Sequence, residues 1–183
     1  NLASQESSQA EEDYNTLREI MENLLELSFQ QEALMGEMKG LSPYDPKIVE
    51  LGQKQRRVKD GMRIIEDSLF ALARRVPAVS NFITKEVNNV QQNMGTALSN
   101  YGERSIPTIM NHQQLAMTGL NNLAVMLSEV LKNMQDQMNS QNQSDGTGKC
   151  RKPGGGKPKE QKLSDMKEQQ KQLQKQLDEM KKG

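Results

Sequence analysis

The stretch "DPKIVELGQKQRRVKDGMRIIEDSLFALARRVP", residues 45–77, decides the fold. Its residues Ile48, Leu51, Gln55, Val58, Met62, Ile65, Leu69, Leu72 and Val76 recur three or four apart, the spacing of one helix face. Asp45 is placed to cap, Pro46 suits the first helical position, and Tyr44 is set to staple onto Val49. Pro77 ends the run, because the residue before a proline resists helical geometry. The pattern predicts a helix over 46–75.

The same rhythm appears on both sides. Upstream, Leu17, Met21, Leu24, Ser28, Gln31, Met35 and Met38 alternate four and three apart, and Ile20, Leu25, Leu27 and Leu34 widen the stripe. This predicts a helix over 14–39 that "GLSPYDP" breaks, with residues 1–13 a disordered or frayed start. Downstream, Val79, Ile83, Glu86 or Val87, Val90, Met94, Ala97 and Tyr101 mark a helix over 79–101. After "YGERSIP", with Ser105 as a cap, a longer stripe covers 106–139: Ile106, Met110, Gln113, Met117, Leu120, Ala124, Leu127, Leu131, Met134 and Met138. Four helices with short connections, each apolar on one side, predict an all-α fold, an antiparallel up-down four-helix bundle. Residues 140–162 are rich in Gly, Pro and Lys and read as a flexible linker. Residues 163–182 form a thin amphipathic helix with Met166, Leu173, Leu177 and Met180 on one side and Ser164 as cap.

The 183 residues carry 24 basic and 24 acidic side chains, but unevenly distributed. Residues 1–148 hold 13 basic and 19 acidic groups, and residues 149–183 hold 11 and 5. Within the bundle, residues 1–37 have nine acids against Arg18 alone, and residues 45–75 have eight bases against five acids, so the first two helices are complementary neighbours. One His and one Cys exclude the usual zinc constellations and an internal disulfide framework. No apolar run approaches the roughly 20 residues of a membrane span. The chain opens at Asn1 without a signal sequence, and we expect a segment of a larger protein.

"SDGTGKCRKPGGGKPKEQ", residues 144–161, nearly spells a phosphate-binding loop. Gly148 and Lys149 match, but Gln143 occupies the first glycine position and Cys150 replaces the hydroxyl residue. No strand precedes it, and Pro153 follows where a helix should begin, so it reads as linker. The methionines, Met35, Met38, Met134 and Met138 among them, suit core packing rather than a soft metal site. His112 borders the fourth stripe without the motif of carboxylate-bridged metal bundles. Cys150, in a basic context, is a candidate reactive thiol. The basic tail lacks stacking aromatics and interleaves acids, which argues against nucleic acid as a partner. No cofactor and no catalytic set is read from these residues.

The amides Gln31, Gln55, Asn93 and Gln113 interrupt the apolar stripes. In an up-down bundle they fall at one height, about two turns from one end at ~1.5 Å per residue. We expect a buried polar layer that fixes helix register, as buried amides do in coiled coils, or that forms a small polar ligand site.

"LLELSFQQEALM", "MRIIEDSLFALARRVP", "ITKEVNNVQQNM" and "HQQLAMTGLNNLAVMLSEVLKNMQ", with the single-Cys linker and the Gln/Lys-rich end, resemble the domain-of-unknown-function 4175 family across residues 12–182. These are large Bacteroidetes proteins with transmembrane helices near the N-terminus and long helical regions beyond. The resemblance implies an extramembrane, periplasmic segment of an envelope protein, anchored elsewhere, with a protein or a remote part of the same chain as partner. It implies no reaction. Some relatives carry the label ATPase, a site this segment does not supply.

Overall fold

The computed structural model describes residues 2–144. Four helices follow one another, α1 (Leu2–Met38), α2 (Lys47–Ala73), α3 (Pro77–Glu103) and α4 (Ile106–Ser144), with no strand among the described residues. They pack against each other as a four-helix bundle. The remainder of the linker from 145 to 162, Cys150 within it, and the expected helix over 163–182 lie outside the described residues.

Two helices are longer than their apolar stripes. α1 begins at Leu2, not near residue 14, and α4 runs to Ser144, five residues into the expected linker. Residues 4–9 at the start of α1 and Ser140 and Gln141 near the end of α4 are exposed. A helix with no face to bury carries no hydrophobic period, so only its Gln, Glu and Ala residues, good helix formers, favour it.

The turns follow local chemistry. Asp45 Oδ1 accepts the Lys47 backbone N–H at 2.8 Å, one turn-opening donor satisfied where a cap is expected. Tyr44 and Val49 stay 86 % and 59 % exposed, so the hydrophobic staple does not form. Val76 is extended, with φ −116° and ψ 90°, immediately before Pro77, which itself opens α3 two residues earlier than the apolar stripe does. Ser105 stands before α4, where its hydroxyl pairs with that of Thr108 at 2.8 Å. Arg104 ends α3 in the left-handed region at φ 56°, and its Nη1 donates to the Pro43 carbonyl at 3.0 Å. The α1–α2 and α3–α4 connections are thereby tied together at one end of the bundle.

The core runs along all four helices. Leu17, Leu24, Leu34 and Met38 of α1 are buried with Ile48, Leu51, Met62, Leu69 and Leu72 of α2 and Val79, Ile83, Val90, Met94 and Ala97 of α3. Glu86 and Val87 are both buried, and Glu86 Oε2 accepts from Asn122 Nδ2 at 3.5 Å. On α4 the expected Gln113, Met117, Leu120, Ala124, Leu127 and Leu131 are buried, and the stripe widens to one side at its centre. Ile109, Ala116, Leu123 and Val130 are buried, whereas Ile106, Met110, Met134 and Met138 are only half-buried.

Close helix approach depends on glycine at two crossings. A Cβ on Gly61 would stand 2.8 Å from Leu27 Cδ1, and one on Gly119 would stand 2.6 Å from Val90 Cγ2. The charge complementarity of α1 and α2 is used at the ends of their contact. Glu37 pairs with Lys47 and Lys54, both at 3.1 Å, and Asp13, only 6 % exposed, pairs with Arg75 at 2.7 Å.

Candidate functional site

The amides at the seam separate into two groups. Gln31, Gln55 and Gln113, each with no exposed surface, meet in the core. Gln31 Nε2 donates to Gln55 Oε1 at 3.1 Å, and Gln55 Nε2 returns a bond to Gln31 Oε1 at 2.8 Å. Gln113 Nε2 donates to the same Gln55 Oε1 at 3.0 Å and to the Tyr101 hydroxyl oxygen at 3.1 Å. One polar network thus links α1, α2 and α4 through amides and reaches α3 through the Tyr101 phenol.

Asn93 belongs to a different group. Its Nδ2 donates to the Asn89 carbonyl at 2.8 Å and to Asn89 Oδ1 at 2.9 Å. That leaves Asn93 Oδ1 facing His112 Nδ1 at 2.8 Å, so the ring proton on Nδ1 is the donor. The α3–α4 seam therefore carries an Asn89–Asn93–His112 chain beside the glutamine network. Ser28 is buried on the α1 seam.

Tyr101 completes the glutamine network although the sequence pattern marks it only as an apolar stripe position. A buried tyrosine needs a partner for its hydroxyl, and that rule is the signal that finds it. Desolvation of the phenol raises its pKa well above the ordinary 10.0, the Gln113 hydrogen bond opposes the rise, and the Glu37 charge adds to it. The phenol is neutral across the physiological range. Toward the tied end, Leu34, Met38, Ile48, Leu51 and Ile109 cluster with the Tyr101 ring, half-buried Leu41, Ile106 and Met110 packing around them. The three amides have no exposed surface, so none of them reaches bulk solvent.

Chemically, this site is equipped for hydrogen bonding and for little else. Its members are three neutral amides and a phenol held protonated by burial, which carry neither nucleophile nor charge. Among the described residues no group of three or more His, Cys, Asp and Glu side chains is placed to hold a metal ion. No helix of the described residues is long and apolar enough to cross a membrane. Met38 is fully buried and Met35, Met134 and Met138 are half-buried, all on the packing faces. Cys150 lies outside the described residues.

No protein-family model matches the chain, and neither a curated protein nor a solved structure does. The resemblance to the domain-of-unknown-function 4175 family stands on the quoted motifs alone.

Proposed function

We propose that this chain is a non-enzymatic structural and protein-interaction module, a helical spacer within a larger membrane-anchored envelope protein. Its partner in this reading is another protein or a remote part of the same full-length chain. The observation that carries the reading is the glutamine network. A buried amide layer shared by α1, α2 and α4 and joined to α3 by Tyr101 penalises any slip of one helix past another, because a slip strands buried polar groups. Such a layer suits a part whose task is to hold a fixed length and orientation. The envelope assignment and the periplasmic side rest on the family resemblance.

The test places a photocrosslinking residue at Phe29 or Ile64, apolar side chains left 47 % and 69 % exposed, in the full-length protein in its own cells. The reading expects a covalent adduct to a protein, or to a distant segment of the same chain, recovered with the envelope fraction. It is overturned if neither position yields an adduct and the protein fractionates with the cytoplasm. Saturable nucleotide binding by residues 1–183 would overturn the non-enzymatic part.

A ligand-sensing bundle is the second reading, favoured by one atom: Gln113 Oε1 is buried and has no hydrogen-bond partner. Titration of small polar solutes against the melting temperature tests it, and a saturable shift would support it over a purely structural layer.

A further inference from the structure

Gln113 Oε1 is a buried side-chain acceptor left unpaired inside an otherwise connected network. Both protons of its Nε2 are committed, one to Gln55 Oε1 and one to the Tyr101 oxygen. Rotating the Gln113 amide alone does not repair this, since its oxygen would then face Gln55 Oε1. Rotating all three glutamines together restores Gln55 as a donor to Gln113. It also turns the Gln113 Nε2 outward, leaving two N–H groups unpaired in place of one oxygen. Either ordering leaves the outer atom of the Gln113 amide in need of a partner.

The neighbouring phenol supplies the other half of a site. In its bond with Gln113 the Tyr101 oxygen is the acceptor, so its own hydroxyl proton remains to be donated. The nitrogen and oxygen of one amide are about 2.2 Å apart by standard bond lengths. With Gln113 Nε2 at 3.1 Å from the Tyr101 oxygen, Gln113 Oε1 is therefore within about 5.3 Å of that oxygen. A molecule hydrogen-bonded to both at ~2.8 Å spans up to ~5.6 Å. A single small molecule that accepts from the phenol and donates to the amide bridges them. Internal waters in proteins bridge otherwise unsatisfied buried polar groups in this way.

We propose that the glutamine layer binds one internal water molecule, held between Gln113 Oε1 and the Tyr101 hydroxyl. The water accepts the Tyr101 proton and donates to Gln113 Oε1, which satisfies both groups in one step. This inference is independent of the envelope reading, since a spacer and a sensor would both contain it.

The test is water magnetic relaxation dispersion on the full chain, with and without Gln113→Leu, alongside water-to-protein cross-relaxation at the Gln113 side-chain amide. The wild type should contain one more long-lived internal water than Gln113→Leu, and its Gln113 amide protons should show direct contact with water. Equal dispersions in the two proteins overturn the proposal. So does the absence of a water contact at Gln113 in the wild type, a measurement that stands even if the variant fails to fold.

Discussion

Replacing Gln55 with Met removes the hub of the glutamine network while keeping the volume of the side chain. The change strands Gln31 Nε2 and Gln31 Oε1, both of which pair with Gln55. Gln113 Nε2 keeps Tyr101 as an acceptor. Each stranded buried group costs ~1–3 kcal/mol, and burying the Met side chain returns ~1–2 kcal/mol, so Gln55→Met should lose about 2–4 kcal/mol. Gln31→Met alone strands Gln55 Nε2 but leaves Gln55 Oε1 paired with Gln113, and should cost ~1–2 kcal/mol. The double variant removes both partners of the reciprocal pair and leaves little unpaired, so it should lie within ~1 kcal/mol of the wild type. The resulting coupling is at least ~2 kcal/mol, the upper part of the range for residues in direct contact. Urea unfolding of the full chain followed by helical circular dichroism measures all three, provided the slope with denaturant is unchanged. If the double variant costs as much as the two singles together, the pair is not coupled and the network does not hold the helices in register.

Gly119→Ala should destabilise, because the stiff Val90 side chain must shift to admit a Cβ at 2.6 Å, at ~1–3 kcal/mol partly offset by better helix propensity. Gly36→Ala, helical with nothing within 4 Å of the added Cβ, should instead stabilise by ~0.5–1 kcal/mol in the same assay. Burial raises the Tyr101 pKa, so the folded chain keeps a proton that the unfolded chain releases. The stability this contributes is fully present below pH 10.0 and lost as the pH rises beyond it. Tyr101→Phe should flatten that alkaline limb in a melting-temperature profile, and an unchanged slope would contradict the assignment. Hydrogen bonds from Lys54 and then Lys47 hold the Glu37 carboxylate below its ordinary 4.5. Stability from it is present above that value and lost as the pH falls through the folded pKa, so Glu37→Gln should reduce the acid-side decline.

Much of the fold was legible because burial imposes a period. Every stripe position of α2 from Ile48 to Leu72 is buried, since each is fixed by the spacing of one face of a regular helix. The positions on α3 from Val79 to Tyr101 follow the same rule. On α4 the choice between Ile109 and Met110 was not legible. Adjacent apolar residues satisfy the same rhythm, and the neighbouring helices decide which one turns inward.

The amides show where sequence stops. Composition and spacing determined that Gln31, Gln55 and Gln113 interrupt apolar stripes at similar heights, because helix rise is constant. Only the tertiary structure decided their partners. A side-chain amide reaches several neighbours, and the packing of the four helices joined the three glutamines to Tyr101 while Asn93 pairs with Asn89 and His112. The ends of α1 and α4 make the same point in reverse. Sequence alone determined the buried length of each helix through its hydrophobic period. Where a helix continues into water no face is buried, the period vanishes, and the extent of Leu2–Met38 and Ile106–Ser144 was settled by the three-dimensional structure.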